Sequence, residues 1–223
     1  MINYKKAIVC DLDGTLAKSK SSLTPEMSDV LCQILSKYYL VVVSGGAYSQ
    51  FQKQFLSSFN CPKELWRNLY FFPTMGSTCY IFDYELDDWK QVYDERFTDS
   101  EKQEIISAIN ESIAESKLDL SSPYGDIIED RGSQITFSGR GQDAPIEVKV
   151  AWDHDQIKRK YLVDFIKNKI PQYEISIGGT TSIDITKKGI DKAYAIGEIK
   201  ELLKVTNDEI IFAGDAMFPG GND

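Results

Sequence analysis

The sequence predicts an α/β fold: a parallel, Rossmann-like sheet split by an inserted α+β module. Three features carry that expectation: a strand–helix–strand opening, a helix–strand return near the C-terminus, and a middle region of different texture. Lys6 to Cys10 is an apolar run of strand length, and Ser28 to Tyr38 has helical spacing with Val30, Leu31, Ile34 and Leu35 on one face. Leu40 to Val43 is a second buried strand. Lys192 to Leu203 restores helical spacing, and Glu209 to Ala213 is a third apolar run ending at Gly214-Asp215. Strands alternating with helices imply a parallel sheet covered on both faces, with ligands beyond the carboxyl ends of its strands.

The middle alternates shorter runs, at Asp126 to Ile128, Gln134 to Ser138, Ile146 to Val150, Tyr173 to Ile177 and Ser182 to Thr186. Helical stretches lie between them at Asp99 to Lys117 and Asp153 to Ile170, the first opening on the cap candidates Thr98, Asp99 and Ser100. The expected division is a core of residues 1–82 and 188–223 around a module of residues 83–187. The sequence stops at Asp223, where an open sheet would ordinarily continue into a covering element, so a C-terminal continuation is expected.

Composition narrows the function. Lys plus Arg number 25 against 34 for Asp plus Glu, and the net charge of -9 opposes nucleic acid and anionic membrane surfaces. Apolar runs are strand-sized, far below the roughly 20 residues of a membrane span, and Asp11 and Asp13 interrupt any signal-like N-terminal stretch. A cytoplasmic location is expected. Cys10, Cys32, Cys61 and Cys79 are scattered without a C-x-x-C pair, which reads as reduced thiols. His154 and the run Lys158-Arg159-Lys160 read as solvated residues, and Trp66, Trp89 and Trp152 as packing groups.

The chemistry concentrates at three strand ends. Asp11-Leu12-Asp13-Gly14-Thr15 places two carboxylates at i and i+2 beyond an apolar strand, with Gly14 to permit a turn. Such a pair suits an attacking carboxylate beside an acid/base, or else an Asx-type turn with solvated acids. Ser44-Gly45-Gly46 offers a hydroxyl and two amides to phosphoryl oxygens, although an ordinary strand-to-helix turn explains it as well. Asp215 is a third acid that could complete an oxygen-rich Mg2+ site, with Asn222 and Asp223 close behind on a Pro219-Gly220-Gly221 turn. Against the net negative charge, a phosphorylated substrate needs such a cation and local positive groups.

Asp-x-Asp-Gly-Thr, a strand-ending Ser, a Lys before a helix and a Gly-Asp…Asn-Asp strand end together resemble the haloacid dehalogenase superfamily of phosphotransferases. Within it, residues 214–223, Ser176-Ile177-Gly178-Gly179, Ser182-Ile183-Asp184 and Gly189-Ile190-Asp191-Lys192 resemble the eukaryotic-type phosphomannomutases and bacterial type IIB hydrolases. The inserted module would then be a C2B cap. The resemblance implies that Asp11 is the nucleophile and Asp13 the acid/base, that Ser44 and Gly45 hold the phosphoryl group, and that Lys192 offsets its charge. It further implies Mg2+ bound by Asp11, the Asp13 carbonyl and Asp215, supported by Thr15, Asn222 and Asp223. Lys187 and Lys188 are rivals for the lysine role, and the spacing to the helix favours Lys192. Arg131, Arg140, Ser182 and Asp184 match family contacts to the sugar or distal phosphate.

Some residues depart from the mutase pattern. Lys20 stands where the mutases have an arginine, a further cap arginine has no clear counterpart although Lys149 lies nearby, and Ser44-Gly45-Gly46-Ala47-Tyr48 replaces Gly-Gly-Ser-Asp. A mutase must grip a bisphosphate in two orientations, so these departures rank a Mg2+-dependent sugar-phosphate phosphatase first and a phosphohexomutase second. A sugar-phosphate sensor without turnover is the third reading.

Overall fold

The computed structural model of the chain describes residues 4–19 and 21–217. In chain order the elements are β1 (Ala7–Asp11), α1 (Pro25–Leu35), β2 (Tyr39–Val43), α2 (Tyr48–Gln54), β3 (Leu69–Phe72), β4 (Thr78–Asp83) and β5 (Asp88–Asp94). There follow α3 (Asp99–Ser116), β6 (Ile128–Asp130), β7 (Gln134–Ser138), α4 (Ile146–Trp152), α5 (Ile157–Lys169), β8 (Tyr173–Gly178) and β9 (Ser182–Lys187). The chain ends with α6 (Lys192–Leu203) and β10 (Ile210–Ala213). It forms two compact units, Met1–Asp94 with Ile190–Asp223, and Glu95–Gly189. The crossing to the second unit falls at Glu95 rather than 83, because β5 pairs antiparallel with β4 from Asp83↔Asp88 to Thr78↔Asp94 and completes the first sheet.

In the first unit the strand order is β10-β1-β2-β3-β4-β5. The first four strands are parallel, and β4 and β5 extend the sheet antiparallel. Alternation assigns the faces: Leu40 and Val42 join the core beneath α1 and α2, whereas Val41 and Val43 pack with Ala195 and Ile199 of α6. Thr24 caps α1 by accepting from Met27 N, and Pro25 fits the first helical position, so the helix starts before Ser28. The sheet order reverses about β1, which has β2 on one side and β10 on the other. The carboxyl ends of these strands therefore form the switch-point crevice typical of open α/β sheets.

The second unit is a four-stranded antiparallel sheet, β6-β7-β9-β8. Ile135, Phe137, Ile183, Ile185 and Ile175 face a core shared with α3 and α5. A full capping box of Thr98 and Glu101 starts α3 at Asp99.

Three expectations are corrected. Ile146 to Val150 is expected as a strand from its alternation, but it is helical; Pro145 precedes the first turn, and Trp152 lies where a Gly139 side chain would be, 2.0 Å from the position of its Cβ. Arg159 is not solvated but 2% exposed, its Nε donating to Asp153 Oδ2 at 2.8 Å and its Nη1 to the carbonyls of Gly178 and Gly179. Cys32 and Cys61 form a disulfide; α1 and the segment after α2 share one face of the sheet, which brings together cysteines 29 residues apart. Cys10 and Cys79 are free and buried. No helix among the described residues is long and apolar enough to cross a membrane.

Closing a loop of this length stabilises a fold by about 3–4 kcal/mol. Reduction or Cys32→Ser should therefore lower the melting temperature by roughly 10 °C. Thiol titration of the denatured protein should give two groups without reductant and four after it; four without reductant would refute the bond.

Candidate active site

Asp11 ends β1, with Val9 and Cys10 before it in the sheet and Leu12 fully buried behind it. The chain then folds back on itself: Leu16 N and Ala17 N both donate to Leu12 O, and Gly14 N donates to Ala17 O at 2.7 Å. Gly14 adopts φ of 93°, a conformation open to glycine. The turn leaves the Asp11 carboxylate buried at the sheet's carboxyl edge and the Asp13 carboxylate partly buried beside it.

Lys192 is the first residue of α6, whose cap Asp191 accepts from Tyr194 N. Its Nζ donates to Asp11 Oδ1 at 2.7 Å, with both side chains buried. This contact separates it from its rivals, because Lys187 pairs with Glu95 and Lys188 with Glu174. Ser44 follows β2, is 3% exposed, and accepts from Gly46 N through Oγ at 3.1 Å. Gly45 lies between them, partly buried. Thr15 Oγ1 is buried and has no hydrogen-bond partner among the described residues.

Asp215, exposed beyond β10, reaches the same loop. A Cβ on Gly14 would lie 2.3 Å from Asp215 Oδ2, so glycine is required there for space as well as for conformation. Among the described residues no three His, Cys, Asp or Glu side chains form a cluster. The oxygen donors at hand are instead the carboxylates of Asp11 and Asp215 and the backbone carbonyl of Asp13, an all-oxygen set suited to a hard divalent cation such as Mg2+. The neighbouring Cys10 thiol is no competing nucleophile: burial and the Asp11 carboxylate push it up to about 12, so it stays protonated. Lys20, Asn222 and Asp223 lie outside the described residues.

Two residues at this site are not singled out by the sequence reading. Gln50 Nε2 donates to Asp13 Oδ2 at 2.6 Å, and Gln54 Nε2 to Asp13 Oδ1 at 3.1 Å. Their i, i+4 spacing on α2 is the signal that could have found them.

In the second unit, the sheet face opposite the apolar core carries Gln134 and Thr136 of β7 and Asp184 of β9. Asp184, 3% exposed, accepts from Gln134 Nε2 at 2.9 Å and Thr136 Oγ1 at 2.8 Å. Ser182 begins the same strand opposite Ser138. Arg131 sits in the β6–β7 turn, donating to Glu129 Oε2 at 2.6 Å and exerting its charge on Asp184. Arg140 is elsewhere engaged, donating to the carbonyls of Ser121 and Ser122, and Lys149 donates to Gln142 O at 2.8 Å. Gln134 and Thr136 are the residues missed here, visible in hindsight as the polar positions of an alternating strand.

Burial raises the Asp184 carboxyl above its ordinary value, partly offset by Arg131, Thr136 and Gln134. A carboxyl raised in the folded state favours folding while protonated, and that contribution is lost as pH rises through its folded value. Asp184→Asn keeps a side-chain acceptor for Gln134 and Thr136 and removes the charge. The variant's melting temperature should approach the parent's in acid and exceed it at neutral pH; parallel melting curves across that range would contradict this.

The chain matches the eukaryotic phosphomannomutase family over residues 27–223. It is 29% identical to a phosphomannomutase of Schizosaccharomyces pombe over 224 residues, covering 98% of this chain and 84% of that protein. It is likewise 29% identical to phosphomannomutase 1 of Dictyostelium discoideum, covering 96% and 83%. Among solved structures, the IMP-nucleotidase of Plasmodium falciparum shares the fold at a TM-score of 0.69 and 17% identity, covering all of this chain and 62% of that one. A phosphatase of the haloalkanoate superfamily from Bacteroides thetaiotaomicron aligns at a TM-score of 0.61 and 13% identity, covering 100% and 80%. With a match that runs through both units, the chain belongs to the eukaryotic phosphomannomutase family.

Proposed function

We propose that this enzyme is a phosphohexomutase acting on a hexose phosphate, the substrate class named by its phosphomannomutase relatives. The observation that carries the chemical part of this reading is the buried Lys192–Asp11 contact at the switch-point edge of the sheet. A carboxylate held there by a lysine can act as the nucleophile toward phosphorus, and the lysine offsets the charge gathered by attacker and phosphoryl group. Asp11 Oδ2, the oxygen not bonded to Lys192, forms the new P–O bond as the bond to the sugar oxygen breaks. Asp13 gives its proton to that oxygen. The aspartyl-phosphate then passes its phosphoryl group to a second sugar hydroxyl, whose proton returns to Asp13.

Ser44 and the Gly45 amide provide hydrogen bonds to phosphoryl oxygens, and Thr15 supports the loop. When bound by Asp11, the Asp13 carbonyl and Asp215, Mg2+ supplies Lewis-acid neutralisation of the phosphoryl charge. Arg131, Ser182 and Asp184 provide recognition of the sugar or its distal phosphate. Lys20, Asn222 and Asp223 keep the roles that the family motif implies.

The relatives reverse the order drawn from the sequence, which ranks hydrolysis first. Hydrolysis is kept as the second reading because Arg140 and Lys149, cations suited to a distal phosphate, donate to backbone carbonyls. In that reading water replaces the second hydroxyl and inorganic phosphate leaves.

Incubation of hexose 1-phosphate with Mg2+ and a hexose bisphosphate activator separates the two. The mutase reading expects hexose 6-phosphate with little free phosphate; stoichiometric phosphate release without 6-phosphate would replace it with hydrolysis. Asp11→Asn should abolish either reaction by about 10³-fold or more. Lys192→Ala should do so too and, by removing the ammonium that contacts a buried carboxylate, destabilise the first unit by about 3 kcal/mol.

A further inference from the structure

Asp13 is assigned a proton-transfer role above, and the present inference rests on that reading. An aspartate's terminal torsion is soft, so the direction in which its oxygens point must be set by partners. Here each oxygen has its own amide donor, Gln50 on Oδ2 at 2.6 Å and Gln54 on Oδ1 at 3.1 Å. Two donors on opposite oxygens fix the plane of the carboxyl group, which one donor could not.

Both glutamines are themselves constrained. Gln54 is 3% exposed, and its Nε2 also donates to Ser21 O at 3.1 Å. Its main-chain carbonyl accepts from Leu23 N at 2.9 Å, tying the end of α2 to the segment ahead of α1. Gln54 Oε1, in contrast, is buried with no hydrogen-bond partner among the described residues. A flipped amide would set that oxygen against the Asp13 carboxylate, acceptor to acceptor. The orientation observed thus leaves one buried acceptor unmet so that both contacts of Nε2 are made.

Gln50 depends on Gly46, four positions before it and ahead of α2. A Cβ on Gly46 would lie 2.3 Å from Gln50 Oε1, so the bare backbone of the Ser44-Gly45-Gly46 turn makes room for this side chain. The turn that follows β2 therefore has a steric duty toward Asp13 in addition to its own hydrogen bonds.

We infer that Gln50 and Gln54 are positioning residues for the proton-transfer step, acting through Asp13 by clamping its carboxyl group with one amide on each oxygen. Losing the clamp should slow only those reactions in which Asp13 must deliver a proton. A sugar alkoxide leaving group needs that proton, whereas nitrophenolate or acetate does not.

The test measures single-turnover phosphoryl transfer to the enzyme from hexose 1-phosphate and from p-nitrophenyl phosphate or acetyl phosphate. The proteins compared are the parent, Gln50→Met, Gln54→Met, the double variant and Asp13→Asn. The inference expects about a tenfold loss per glutamine on the sugar phosphate, part of the 10²–10⁴ available to an acid, and less than a twofold change on the activated donor. Equal losses on both donors, or none on either, would overturn it. If Gln54→Met does not fold, Gln50→Met, at a half-buried position, makes the same comparison. Asp13→Asn separates the levels: without donor selectivity there, the assignment of Asp13 fails; with it there but not in the glutamine variants, only the clamp fails.

Discussion

A lysine ammonium and an aspartate carboxylate removed from water at the edge of a parallel sheet govern how this site is built. Lys192 and Asp11 meet at 2.7 Å with both side chains buried. Neither charge is tolerable there alone, because desolvating an isolated ion costs several kcal/mol. The pair therefore demands that the end of β1 and the start of α6 coincide, although the second unit separates them in sequence. Parallel pairing of β10 with β1, in register from Ala7↔Ile210 to Cys10↔Ala213, meets that demand.

Space is the second constraint. Gly14 and Gly46 lie where a methyl group would strike Asp215 and Gln50 respectively. Two functional side chains are thus crowded against bare backbone, and four are carried by strands and helices rather than by loops. Asp11 sits on a strand, Lys192 on a helix start, and Gln50 and Gln54 on consecutive turns of α2. Such placement suits chemistry in which a displacement of an ångström is costly.

The second unit divides its sheet between two tasks. One face supplies Ile135, Phe137, Ile183 and Ile185 to an apolar core, while the other gathers Gln134, Thr136 and Asp184 into a buried polar network. The period of two in the strands makes that division possible. Arg159, paired with Asp153, then fixes the β8–β9 turn by donating to the carbonyls of Gly178 and Gly179. A Cβ on Gly178 would lie 2.5 Å from Asp184 Oδ2, so that turn and the polar network are sterically linked.

Taken alone, the sequence determined the elements whose signals are local. The apolar runs at β1, β2 and β10 and the helical spacing of α6 are one-dimensional patterns, and so is the Asp-x-Asp-Gly-Thr turn. Tertiary structure decided everything that depends on who meets whom. Ile146 to Val150 alternates like a strand yet folds as a helix, because a short pattern fits either period until its neighbours choose. Cys32 and Cys61 bond through packing that no spacing rule encodes, and Arg159 is buried by a turn 19 residues away. Gln50 and Gln54 carry no more than an i, i+4 spacing until the loop after β1 is folded against them. An amide has no chemical signature of its own, and only its distance from a carboxylate distinguishes a solvated side chain from one that holds an acid in place.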